Sequence, residues 1–331
     1  MNTTLVFFLG RKILALGGQG GAPAIDGARI QSSAFMAALL FGLHPLEVET
    51  VAWVTCRKDL LCTFFFFASL LVYLDYAAKS QPKLWKLVSS LVCYGLALLC
   101  KPMAVTLPLV LILLDGWPLK RWKHGFLRPV LEKTPFFFLA LLSGIMTIKA
   151  EYGVNAVASL NVVPLGFRVM NAFHSLAFYL AKIIGPFGLC TLYPVHLKRM
   201  FSPGYVISVL IVLAAASAVY RNRQKHPHLV TMGLYYLLTI SPTLGLVVVG
   251  GQMMADRYAY LPSFSVFLAL GWWCTGIFNK RFWTSLAVAG VLATLLGFGT
   301  VRQLSTWHDS ISLWENVLRC DIHNSSAAFD N

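Results

Sequence analysis

The chain has 331 residues, 57% of them hydrophobic and only 12% charged, against roughly 45–50% and about 25% in soluble domains. So few ionic groups exclude an ordinary water-soluble surface. Runs such as Thr63–Val72, apolar on every face, exclude the alternating strands of a transmembrane β-barrel. The net charge of +14 would direct a soluble chain to nucleic acid, but here the positives lie in short connections between apolar runs. They are read as orienting the chain in a membrane, with no nucleic-acid partner.

In chain order, Met1–Leu9 is apolar and runs into Arg11, Lys12 and a glycine-rich stretch, Gly17 to Gly21. It lacks the layout of a signal peptide and is read as the tail of a helix that begins upstream. Apolar spans follow at 32–43, 59–77, 87–115, 134–149, 168–189, 204–220, 229–249, 261–278 and 283–301. The run 87–115 would be a rod of about 43 Å with Lys101 at its middle. A lone lysine at the bilayer centre costs roughly 2.5–3.5 kcal/mol, so the run is read as a hairpin with Lys101-Pro102 at its tip. That choice, with 168–189 re-entrant or interfacial, puts the connections 10–31, 78–86, 116–133, 221–228 and 279–282 on one side. They hold 16 of the 27 Lys and Arg, which makes that side cytoplasmic. The opposite, extracytoplasmic face collects 44–58, Lys101, 150–203, 250–262 and everything after Arg302. Trp53, Trp85, Trp117, Trp122, Trp283 and Trp307 fall at expected span ends, where indole rings prefer the headgroup zone.

Residues 307–318 predict an amphipathic helix with Asp309 or Ser310 as its N-cap. The expected fold class is all-α, a polytopic transmembrane helix bundle of about 8–10 segments over residues 1–302. Residues 303–331 form an extracytoplasmic helical tail. The seven cysteines (56, 62, 93, 100, 190, 274 and 320) form no CxxC pair and lie mostly in apolar runs. They are read as buried small hydrophobes, with no zinc site and no disulfide framework.

Three outer stretches carry ionisable groups that a pure anchor does not need. His44-Pro45-Leu46-Glu47-Val48-Glu49 leads to Arg57-Lys58-Asp59. If 46–56 is one helix, Glu49 and Trp53 share a face with Arg57 one turn further. Such a face suits either a phosphate or polar acceptor, or interfacial capping with a salt bridge. Lys101 suits either a lipid phosphate, as a mobile point charge, or snorkelling towards headgroups. The stretch Ala255–Ser263 offers Arg257 as a phosphate clamp, with Tyr258 and Tyr260 as either belt aromatics or sugar-stacking platforms. His124, His226 and His228 are read as solvated among cytoplasmic positives, and His174 as structural.

HPLEVETVAWVTCRKDLL, CKPMAVTLPLVLILLDGWPLKRW, ADRYAYLPS and TWHDSISLWENVL, in this order, resemble the transmembrane and tetratricopeptide-repeat protein O-mannosyltransferase family in its bacterial form. The resemblance covers nearly the whole chain. It implies a GT-C glycosyltransferase fold and a polyprenyl-phosphate-linked sugar, mannose in this family, as donor. It also implies protein Ser/Thr hydroxyls as acceptors on the extracytoplasmic face of a bacterial inner membrane, and tetratricopeptide repeats after the last span. The family's His-Pro plus acidic signature falls on His44, Pro45 and Glu49, its Arg-x-Asp on Arg57 and Asp59, its helix-ending lysine on Lys101, and its Arg-Tyr-x-Tyr-Leu-Pro on Arg257–Pro262.

On that footing Glu49 is the candidate catalytic carboxylate. Lys101, Arg257 and Arg57 are the candidate donor-phosphate ligands. His44, Asp59, Tyr258 and Tyr260 are sugar or acceptor contacts, or structural groups. No metal ligands are assigned. The expected partners are membrane lipid, the lipid-linked sugar and a protein acceptor.

The family opens with a further span and an outer loop carrying adjacent acids that supply the base. Here the one acid before Glu47 is Asp26, so the chain is read as truncated at both ends and inactive alone. Two other classes stay open. A scaffold displaying a repeat domain would bind no lipid phosphate, and a transporter would show repeated halves around a midplane site. The sequence contains no such repeated halves.

Overall fold

The computed structural model describes residues 1–18, 26–153, 163–191, 193, 203–246, 254–278 and 282–320. The glycine stretch beyond Gly18, residues 154–162, 192 and 194–202, residues 247–253, the 279–281 connection and the tail after Cys320 lie outside the described residues. Every regular element among the described residues is helical, so the chain is an all-α bundle. Five helices among the described residues are long and apolar enough to cross a membrane: Val54–Ala77, Leu127–Gly153, Pro203–Arg221, Asp256–Ile277 and Ala287–Ser305. A bent pair, Gly27–Leu43 with Pro45–Ala52, turns by 51° and makes a sixth if it is one span. Leu84–Cys100 and Pro102–Gly116 are apolar but shorter. The apolar stretch of Pro203–Arg221 is only 6% buried within the protein, that of Asp256–Ile277 56%. In water the first would be a large exposed apolar surface; in a bilayer it faces lipid, and the second forms the core.

That core is built on α2 (Gly27–Leu43) and α12 (Tyr260–Phe278), which run antiparallel in close contact. Small residues allow the approach, as is usual between membrane helices. A Cβ at Gly271 would stand 2.6 Å from the Ser33 carbonyl oxygen and 3.2 Å from the Ala37 nitrogen. The hydroxyls of Ser33 and Thr275 hydrogen-bond across the seam at 2.7 Å, and Phe41 packs edge-on against Tyr260 and Phe267. The first helix, α1 (Asn2–Gly17), runs straight through Arg11 and Lys12 and packs on α2. Asp26 caps α2, accepting from the Ala28 N–H at 3.1 Å.

Antiparallel α4 (Arg57–Ala77) and α5 (Leu84–Cys100) form the second tight pair. Lys86 bonds Asp75, Ser90 bonds Ser69, and the Lys101 ammonium pairs with Asp59. After Lys101 the chain returns through a short 3-10 turn and α6 (Leu107–Gly116), bringing Asp115 back to Tyr73 at 2.7 Å. Both ends of 84–116 therefore lie level with the C-terminal end of α4, and Lys101 lies level with its start. The sequence-based hairpin has this geometry, although its two arms pack on α4 more than on each other.

Consequently Lys12, Asp75, Lys86 and Asp115 share one end of the bundle, and His44, Glu49, Lys101 and Arg257 share the other. The basic end departs from expectation in two respects. Lys133, counted as a loop positive, is fully buried and paired with Asp115; it also donates to the Tyr73 hydroxyl at 2.5 Å and to the Pro129 carbonyl at 2.7 Å. Arg121 joins them through Asp115 and holds Glu132 by both oxygens at 2.8 and 3.0 Å. His228, expected to be solvated, lies between the rings of Trp117 and Trp272. His174 is structural as expected, hydrogen-bonded to Ser208 and stacked on Tyr205.

Candidate functional site

The residues after α2 break twice, and the breaks build the site. Pro45 starts a 3-10 turn, α3 covers only Val48–Ala52, and Trp53 is extended (φ −78°, ψ 115°) before α4 begins at Arg57. The single helix expected over 46–56 is therefore not formed, and Glu49 and Arg57 do not share a face. Arg57 is exposed, with no carboxylate partner among the described residues. The guanidinium that Glu49 meets belongs to Arg257, 208 positions away. Glu49 Oε1 lies 2.5 Å from the Arg257 guanidinium, and its Oε2 accepts the Arg257 backbone N–H at 3.0 Å. Trp53 and Tyr258 flank that guanidinium at 5.0 and 5.1 Å from their ring centroids, a favourable place for a cation.

Lys101 also lies near Tyr258, 5.3 Å from its ring centroid, and pairs with the buried Asp59. A small pocket lies between the two ion pairs, lined by Asp59, Cys62, Thr63, Lys101, Met103, Arg257, Tyr260 and Leu261. Of the sequence-predicted site residues, Asp59, Lys101, Arg257 and Tyr260 line it directly. Glu49 and Tyr258 adjoin it through Arg257. His44 is buried one shell back, its Nδ1 accepting from the Leu46 N–H and its ring against Phe267.

Two carboxylates escaped the sequence reading. Glu47 is buried, accepts from the Ser263 hydroxyl at 2.8 Å, and has no hydrogen-bond partner at Oε2 among the described residues. Asp256 is buried beside Arg257 and accepts from the Tyr193 hydroxyl at 2.8 Å. Glu47 follows a His-Pro and precedes an apolar stretch, and Asp256 ends a gap between spans. Acids so placed are costly in hydrocarbon unless partnered, which was the available signal. Among the described residues no group of three or more His, Cys, Asp and Glu side chains stands together as metal ligands.

The chain is 24% identical over 298 residues to a Caenorhabditis elegans protein named Protein O-mannosyl-transferase F38B6.6, a match covering 86% of this chain and 40% of that protein. Human Protein O-mannosyl-transferase TMTC3 is 21% identical over 336 residues, covering 88% of this chain and 36% of its own length. Mouse Protein O-mannosyl-transferase TMTC2 is 32% identical over 119 residues, covering 34% of this chain and 14% of its own length. These relatives are protein O-mannosyl-transferases by name. The chain spans about two fifths of the length of the first of them. No family model matches the chain, and no solved structure does. All three relatives are animal proteins, so the bacterial form rests on the sequence resemblance alone.

Proposed function

We propose that the chain is the membrane core of a GT-C-type glycosyltransferase. It would move a sugar, mannose by analogy with the names of its relatives, from a polyprenyl phosphate to protein Ser/Thr hydroxyls on the extracytoplasmic face. One observation carries this reading: two cations, Lys101 and Arg257, converge on one pocket at the end of the bundle opposite the basic connections. A departing lipid phosphate needs fixed positive charge where its own charge develops. Arg257 supplies a fork and Lys101 a point charge, while the exposed Arg57, two positions before Asp59, is a candidate third cation.

Glu49 is the candidate base, on one condition. It is bound to Arg257 in this state, so it must exchange the guanidinium for the acceptor hydroxyl as phosphate engages Arg257. Asp59 stands in the same relation to Lys101. Tyr258, near both cations, and Tyr260, on the pocket wall, are the candidates for sugar contacts.

The test is a titration of the detergent-purified chain with a fluorescent polyprenyl phosphate. Each charged hydrogen bond contributes about 1.5–3 kcal/mol, so Lys101→Gln is expected to weaken binding roughly 10- to 150-fold. A scaffold would bind no lipid phosphate specifically, and unchanged affinity in Lys101→Gln with folding intact removes that residue from the site.

A further inference from the structure

The last described helix, α14 (Ser310–Cys320), ends at the same face as the site. The Cys320 sulfur lies 3.8 Å from the backbone carbonyl oxygen of Leu189. That carbonyl belongs to the peptide bond with Cys190, so standard backbone geometry puts the Cys320 sulfur within about 7 Å of the Cys190 Cα. The Lys182 ammonium closes the turn just before Cys190, held by the carbonyl oxygens of Phe187 at 2.5 Å and Gly188 at 2.7 Å. Cys190 is buried and Cys320 exposed. The Cys190 N–H donates to the Tyr193 hydroxyl at 2.9 Å, and that hydroxyl donates to Asp256, the neighbour of Arg257.

We infer that Cys190 and Cys320 are a disulfide pair, which an oxidant closes to tie the end of α14 to the segment that buttresses Asp256. A disulfide needs Cα atoms about 4.4–6.8 Å apart. Rotation of an exposed side chain at the last turn of a helix supplies the remaining adjustment. The step takes a disulfide oxidant such as oxidised glutathione. The exposed Cys320 thiolate attacks one of its sulfurs, forming a mixed disulfide and releasing one glutathione thiolate. The Cys190 thiolate then attacks the Cys320 sulfur and releases the second. Two protein thiols lose two electrons, one glutathione disulfide gains them, and the two protons pass to the released glutathione. Extracytoplasmic compartments keep such bonds oxidised, so formation in cells rests on the orientation proposed above, whereas the pairing itself does not.

The purified full chain, in detergent, is treated with oxidised glutathione or with dithiothreitol, alkylated, and digested with trypsin without reduction. After oxidation the expected product is the peptide Ile183–Lys198 linked to Cys320–Asn331 in the majority of chains; it is absent after dithiothreitol. The link is lost in Cys190→Ser and in Cys320→Ser and kept in Cys274→Ser. Recovery of both wild-type peptides singly alkylated after oxidation, or of Cys320 joined to any other cysteine, overturns the pairing. No lipid ligand enters this readout, so its failure is distinct from a failure of the donor-phosphate reading.

Discussion

Replacing Arg257 by alanine separates holding the fold from holding a ligand. The Arg257 and Glu49 side chains are 13% and 4% exposed, so the pair is largely withdrawn from water. Arg257→Ala leaves the Glu49 carboxylate with one backbone donor in place of a donor and a cation. Breaking a buried pair from one side costs about 3–5 kcal/mol, and losing the contacts with Trp53 and Tyr258 adds about 0.5–1 kcal/mol each. A change of 1 kcal/mol shifts Tm by roughly 2–4 °C in chains of 150–250 residues. Arg257→Ala is therefore expected to lower Tm by on the order of 10 °C, and Glu49→Ala by a similar amount. The double mutant is expected to fall short of the sum of the two by about 2–3 kcal/mol, since neither partner is then left uncompensated. Thermal unfolding followed by size-exclusion recovery in detergent measures all four proteins. Additivity within about 0.5 kcal/mol would show that Glu49 and Arg257 are not an energetic unit, and the reading of this buried pair as coupled would fail. Phosphate affinities of Arg257→Ala are accordingly read beside the double mutant, never alone.

Gly271→Ala puts a methyl group 2.6 Å from the Ser33 carbonyl; overpacking of this kind costs about 1–3 kcal/mol, and an unchanged Tm would refute the close α2–α12 approach. Lys133→Met leaves the buried Asp115 without its lysine and is expected to cost about 3–5 kcal/mol, most of it recovered in Lys133→Met with Asp115→Leu. Asp309 accepts from the Ser312 N–H and lies beside His308, which together hold its carboxyl down to about 2 from an ordinary 3.8. A carboxyl lowered in the folded state stabilises when ionised, so α14 is expected to be best capped above about pH 4 and to lose that support as pH falls through about 2. Hydrogen exchange over 310–320 tests this, and Asp309→Ala should show weakened protection already at neutral pH.

The path of the chain was legible wherever hydrophobicity and charge disagreed. Lys101 in the middle of an apolar run required a turn, and the positives between the runs sorted the two ends of the bundle. The α14 cap was legible because Asp309 precedes an amphipathic period. Partners across the site were not. Assigning Glu49 to Arg57 assumed an unbroken helix, and the extended Trp53 that breaks it carries no Gly or Pro to announce the break. Lys133 looked like any loop lysine because its partner, Asp115, ends a different apolar run 18 positions earlier, and that proximity exists only after α6 folds back along α4.

The seam between α2 and α12 sets what can move. His44–Glu49 leaves one end of that seam, and Asp256–Arg257 enters the same end. Each residue of axial slip displaces a helix by about 1.5 Å, more than the 2.5 Å contact between Glu49 and Arg257 could tolerate. Backbone lodged against the hydrogen side of Gly271 resists such sliding. The two helices thus act as one rigid frame that holds Glu49 and Arg257 in register.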